Sequence, residues 1–201
     1  MASDLATMPE AKFRTQYLNQ WVQSIDGWVP AAAWATGYDD RQPPDEVADA
    51  VAVEVAPDGE RFATVAAWRI DDRVVVRSVA SSSATAIWEQ VEAWNPRLLL
   101  LPPPLMVHYA GRRRPTPVGT TELGRHLVGV GRAIAAGDVR HSPTDHILTT
   151  DVSCAVATPS ETGLRLSIRK ATGPTEAARA MVWAVGELLR PSSPRPAIRS
   201  A

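Results

Sequence analysis

At 201 residues, with 45% hydrophobic and 21% charged side chains, the chain has the make-up of one globular domain with a full core. A net charge of −1 excludes a global basic field, and the single cysteine, Cys154, excludes an internal disulfide and suits a reducing compartment. The longest uncharged apolar run, residues 98–109, carries three prolines and falls short of the roughly 20 residues of a membrane span; with no basic-then-apolar opening, a cytoplasmic location is expected.

Residues 8–22 read MPEAKFRTQYLNQWV and place Phe13, Tyr17, Leu18 and Trp21 on one stripe, which predicts a short amphipathic helix. So short a helix is held by burying its large side chains, so it is expected to dock. A turn-rich connector, residues 24–28, leads to Pro30 at a first helical position before a helix over Ala31–Ala35. Residues 37–46 read as loop, with Pro43 and Pro44 excluding regular structure.

Three strands are expected next, over residues 50–56, 61–70 and 73–79. The turns between them, Pro57-Asp58-Gly59-Glu60 and Asp71-Asp72, are short enough to dictate an antiparallel meander. A helix over residues 83–94 presents Ala86, Ile87, Val91 and Trp94 on one face and stops at Asn95-Pro96. Residues 97–101 form a continuous apolar run, the mark of a strand buried on both faces. Another strand is expected over 115–120, and a helix over 121–136 buries Leu123, Leu127, Val130 and Ile134 before Gly137 ends it. The remaining elements are a helix over 144–157, a brief strand over 164–170, a last helix opened by Pro174 and running to 190, and a disordered tail over 191–201.

Little in this list carries chemistry by itself. There is no G-x-x-x-x-G-K-[ST] loop and no G-x-S-x-G elbow. Cys154 sits among small apolar neighbours as a core residue, and Trp88 and Trp94 have the spacing of core packing rather than base stacking. Arg112, Arg113 and Arg114 form a basic cluster, either a solvated loop or a contact to DNA phosphates.

The wording of several segments resembles the large terminase subunits of tailed bacteriophages. The opening F-R-x-x-Y-L-N-Q-W-V resembles the segment joining their ATPase motor to the nuclease domain. VAVEVAPDGERFATVAA, residues 51–67, resembles the first two nuclease strands; residues 122–141 resemble a helix ending in G-x-[LV]-R-H; residues 164–185 resemble the terminal strand and helix. The order of elements agrees, since three antiparallel strands, then helix–strand units, then a long last helix describe the ribonuclease H-like fold. The resemblance implies a mixed α/β sheet of about five strands flanked by helices. It divides the chain into a docking segment (1–48), a nuclease-type domain (49–190) and a tail (191–201).

Phosphodiester hydrolysis with two divalent ions, Mg2+ or Mn2+, is the chemistry this resemblance implies. Converging carboxylates hold the ions, because hard cations take oxygen ligands. The acids come from the first strand, the end of the fourth strand and the last helix, which here correspond to Glu54, Leu101 and Glu176. Glu54 and Glu176 are thus the implied catalytic and metal-binding residues, with Asp58 as a further candidate. Each has an alternative reading: a solvent-facing strand residue, an acid favoured by the helix dipole, and plain turn chemistry, respectively. The acid at the fourth strand is missing, and Asp138, Asp145 or His141 is a candidate replacement; His146 with His141 lacks any zinc-type spacing with cysteine.

Arg112, Arg113, Arg114, Arg140 and Lys170 are the implied DNA contacts. The implied partners are double-stranded DNA, a separate terminase ATPase chain, the small terminase or the portal, with no membrane. Two functions stay open: a metal-dependent endonuclease of phage DNA packaging, or a catalytically inactive DNA- or partner-binding domain on the same fold. An unrelated small α/β protein is the third reading.

Overall fold

In the computed structural model, which describes residues 27–40, 47–160 and 163–190, the meander is present. It comprises β1 (Ala50–Val55), β2 (Phe62–Ile70) and β3 (Arg73–Ser81). Ile70 pairs with Arg73, so Asp71 and Asp72 alone make the second turn, with Asp71 at φ 54. A short acidic side chain tolerates that left-handed conformation, and it matches the twist of the flanking strands. Gly59 supplies the positive φ of the first turn.

The helix α2 (Ala84–Trp94) crosses from β3 to β4 (Leu98–Leu101), the short helix α1 (Ala31–Ala35) being the first among the described residues. Ser83 caps α2 by accepting the Ala86 N–H at 3.3 Å, and Asn95 ends it in the left-handed region. β4 lies parallel to β1, with Ala50 opposite Leu98 and Ala52 opposite Leu100. After α3 (Pro103–Met106) and the two-residue β5 (Thr116–Pro117) come α4 (Thr120–Ala136), β6 (Val139–His141) and α5 (His146–Cys154). A two-stranded ladder of β7 (Ala157–Ser160) and β8 (Gly163–Leu166) precedes α6 (Glu176–Leu189).

Among the described residues, the main sheet has six strands in the order β5-β4-β1-β2-β3-β6. The strand beyond the expected five is β6, which pairs parallel to β3 immediately after Gly137 closes α4. Side chains alternate between two cores. Ala50, Ala52, Val65, Ala67 and Leu100 face α4, α5 and α6, whereas Val51, Val53, Ala66, Leu99 and Leu101 face α2. The central helix is α6, which packs on β1, β2 and α4; Ala177, Ala178, Ala180 and Ala184 are fully buried, because only small side chains let a helix lie so close to a sheet.

Several expectations change. The helix expected over 144–157 is shorter: Asp145 caps it, and it ends at Ala155, which is extended because its carbonyl accepts the Trp28 N–H at 2.8 Å. The strand expected over 164–170 gives way after Leu166 to a turn, and Pro174 lies just outside α6 because Thr175 is its N-cap. Ala86 is exposed rather than packed. Trp94 packs edge-on against Trp68 at 6.2 Å, and the half-buried Trp88 meets Tyr109.

Residues 27–40 pack on the domain. Val29 and Trp34 join the α6-side core, and Trp34 stacks on His141 with ring centroids 3.6 Å apart. The helix expected over 8–22 and the tail over 191–201 lie outside the described residues.

Candidate functional site

Strand alternation decides where Glu54 points. Ala50 and Ala52 face α6, so Glu54, two residues on, faces α6 as well, and it is 6% exposed. The solvent-facing reading of this residue is therefore overturned. Its Oε2 accepts the Arg179 Nε–H at 2.8 Å, and its Oε1 accepts the Val55 N–H at 3.1 Å. Arg179 is on α6, three residues after Glu176, so the two share a face of the first turns. The Arg179 guanidinium also lies 5.8 Å from the centre of the Trp183 ring, a cation–π contact that fixes its plane.

Beside this pair is a second ion cluster centred on Arg61, which immediately precedes β2. Its Nη2 donates to Asp151 Oδ1 at 2.9 Å and its Nη1 to Asp151 Oδ2 at 3.1 Å, a bidentate fork. Nη1 also donates to Glu176 Oε2. Asp151 is on α5 and fully buried, and its Oδ2 accepts the Ala177 N–H at 2.7 Å. It thereby caps α6 from a neighbouring helix and satisfies one of the backbone donors a helix start leaves open. Burial pushes the Asp151 carboxyl up, against the opposing pull of Arg61 and the Ala177 N–H. Desolvation by itself lowers Arg61, but the hydrogen bond and charge of Asp151, then of Glu176, more than offset it, and the guanidinium stays charged.

The fourth-strand position is apolar on both sides. Leu101 is fully buried in the α2-side core, on the opposite face from Glu54. Extended geometry continues through Pro102 (φ −70, ψ 152), so alternation puts Pro102, not Leu101, on the Glu54 face. Among the described residues, no group of three or more His, Cys, Asp and Glu side chains is arranged to hold a metal ion.

The other candidates are dispersed. Asp58 is exposed in its turn, accepting the Glu60 N–H at 3.0 Å. Asp145 spends its carboxylate on Ser78 and on capping α5; His141 is buried between Trp34 and Tyr38; His146 and Asp138 are exposed. Arg112, Arg113 and Arg114 are exposed between β4 and β5, at one edge of the sheet, with Arg113 donating to Asn95 Oδ1. Arg140 is on β6, at the other edge, donating to the Thr36 carbonyl. Lys170 is exposed in the turn after β8. These five do not form one patch.

Sequence reasoning missed Arg61, Asp151 and Arg179. The available signal was an acid, Asp151, in step with Leu148 and Val152 on the buried stripe of α5. A groove of about 600 Å3 also opens beside the cluster, lined by Thr120, Ser167, Arg165, Arg169 and Arg179. Among the described residues, no helix is long and apolar enough to cross a membrane.

This sheet order, with its antiparallel meander, parallel flanking strands and acid-bearing last helix, is the ribonuclease H-like fold. More narrowly, it is the fold of the nuclease domain of phage large terminases. The HK97 bacteriophage large terminase superposes with a TM-score of 0.63 at 17% identity, over 92% of this chain and 49% of that one. The large terminase nuclease from thermophilic phage G20c gives 0.56 at 9% identity, over 81% and 99%. The large terminase of another thermophilic bacteriophage, in complex with ADP, gives 0.59 at 10%, over 93% and 51%. The chain thus spans about half the length of the two full terminases and matches the G20c nuclease nearly end to end. No protein-family model and no curated protein matches the sequence.

Proposed function

We propose that this chain is a nuclease-type domain of the phage DNA-packaging machinery that engages duplex DNA without cutting it. On this reading residues 49–190 are the nuclease-type unit, and residues 1–48 dock it to a terminase ATPase. The observation that carries the proposal is the state of the acids: Glu54 is held by Arg179, while Asp151 and Glu176 share Arg61.

The G20c terminase nuclease is seen with bound magnesium, so Mg2+ or Mn2+ is the cofactor expected of an active domain of this fold. When bound, such ions activate water and stabilise the leaving oxygen. The donor set here does not fit them. Three carboxylates already carry two guanidinium counter-charges, and the fourth-strand contribution is Pro102 beside Leu101, neither of which offers a side-chain oxygen. A ligand shell short of an acid, with five of its six carboxylate oxygens already accepting N–H donors, is a poor match for the oxygen coordination that hard cations require.

Support for a DNA-engaging role comes from the groove. Arg165 and Arg169 are exposed on its wall, and Thr120 and Ser167 add hydroxyl donors, which is the chemistry that binds a phosphate backbone without reading sequence. The test has two arms. Supercoiled plasmid with manganese is expected to stay intact with the wild type; cleavage abolished by Glu54→Gln overturns the reading. Fluorescence anisotropy with labelled duplex DNA is expected to show salt-dependent binding that weakens and loses salt slope in Arg165→Glu/Arg169→Glu; binding unchanged in that variant removes the groove as the interface.

A further inference from the structure

The two arginines do more than exclude a cation. Arg61 approaches from the start of β2, Asp151 from the middle of α5, and Glu176 from the first turn of α6, positions 90 and 115 residues from Arg61 in sequence. Arg179 joins α6 to Glu54 near the end of β1, 125 residues away. All three acids are buried, with Asp151 fully so, and Arg179 is 12% exposed. Carboxylates this buried are tolerated only with opposite charge at hydrogen-bond distance. In a metal-dependent domain divalent ions would provide that charge; here guanidinium groups provide it from within the chain.

We propose that Arg61 and Arg179 are built-in counter-ions, and that the acid cluster is a metal-independent clasp tying the β1–β2 end of the sheet to α5 and α6. This rests on the reading that the acids hold no metal ion in the intact chain. The geometry suits the task. A planar guanidinium offers several N–H donors in a fixed fork, so Arg61 satisfies the two Asp151 oxygens and reaches Glu176 as well. Asp151 passes the restraint on through the Ala177 N–H, holding the start of α6 and thereby the first-turn residues Glu176 and Arg179. The Arg61 side chain is 29% exposed, so solvent reaches the cluster from that side. Removing Arg61 leaves Asp151 and Glu176 as adjacent uncompensated carboxylates facing that opening, the condition under which a divalent cation is recruited.

The experiment follows the thermal midpoint of the full chain in EDTA and in millimolar MnCl2. The wild type is expected to melt at the same temperature in both. Arg61→Met is expected to melt on the order of 10 °C lower in EDTA, as for breaking a buried ion pair in a domain of this size, and to regain much of that loss in manganese, saturably. Arg61→Met/Asp151→Asn/Glu176→Gln is expected to lose the manganese response. If Arg61→Met fails to fold in EDTA, recovery of its circular dichroism on adding manganese reads the same property, and Arg61→Lys, which keeps the charge but not the fork, is expected to fall in between.

A wild-type midpoint that rises saturably with manganese and ceases to do so in Glu54→Gln overturns the proposal, because a cation then binds with both arginines present. An Arg61→Met protein as stable as the wild type in EDTA overturns it too, because no clasp exists. Neither outcome depends on the plasmid assay: an intact plasmid with a metal-stabilised wild type breaks this inference alone, whereas cleavage lost in Glu54→Gln breaks the functional reading beneath it.

Discussion

Gly186→Ala in α6 sets two effects against each other, and the structure decides the sign. In a helix interior alanine is favoured over glycine by about 1 kcal/mol, so on propensity alone the change stabilises. A Cβ built at Gly186, however, falls 2.3 Å from Cγ of His126, 2.5 Å from its Cβ and 2.7 Å from Nδ1. Carbon atoms pack best at roughly 3.5–4.0 Å, so these are overlaps with a rigid ring and not loose contacts. His126 is buried on α4 and its Nε2 is 3.1 Å from Glu187 Oε1, so turning the ring away costs that hydrogen bond, about 1 kcal/mol more. Overpacking of this kind costs about 1–3 kcal/mol. Propensity is outweighed, and net destabilisation of about 1–3 kcal/mol is expected, a fall of roughly 3–10 °C in thermal midpoint for a domain of this size. Calorimetry or urea unfolding followed by circular dichroism measures it. In a His126→Gly background, which removes the Cβ as well as the ring, the same change is expected to become neutral or stabilising, a coupling within the range seen for contacting residues. A Gly186→Ala protein more stable than the wild type by about 1 kcal/mol would refute the close approach of α4 and α6, and with it the placement of the helix that carries Glu176 and Arg179.

Asp151→Asn keeps shape but removes the charge facing Arg61, and turns an amide N–H toward one of the three donors that the carboxylate accepts; a loss of about 2–4 kcal/mol is expected by urea unfolding. Leu101→Asp places a carboxylate in the α2-side core opposite Glu54, so it is expected to lower the thermal midpoint without conferring manganese-dependent plasmid cleavage; cleavage gained in this variant would contradict the strand's facing. Burial, ahead of every other influence, holds His141 and His126 below the ordinary histidine value of about 6.5. Both therefore stay neutral in the folded chain while the unfolded chain takes up protons. Their contribution to stability is full above about pH 6.5 and falls as the pH drops below it toward their folded values. Unfolding free energies measured from pH 8 to 5 are expected to show this fall, reduced in His126→Gln; a curve in that variant identical in slope to the wild type would count against it.

The local elements were legible because local rules fix them. The Asp71-Asp72 turn forces an antiparallel pair, Ser83 and Asn95 bracket α2, Gly137 stops α4, and an all-leucine strand is buried on both faces wherever it lies. The wording of several segments, with the order of elements, also led to the terminase nuclease fold. What stayed illegible depends on contacts between distant residues. Ala155 ends α5 because Trp28, far earlier in the chain, takes its carbonyl as an acceptor. β6 is a strand because β3 offers an open edge beside it. Glu54 looked equally suited to solvent or a site until α6 was seen to cover its face, and Leu101 looked like the place of a missing acid until its side chain was seen on the other face. Above all, nothing local marks Arg61 as the partner of Asp151 and Glu176. Periodicity tells which side chains are buried, but a buried charge is defined by what neutralises it, and only the folded chain brings that partner to 2.9 Å.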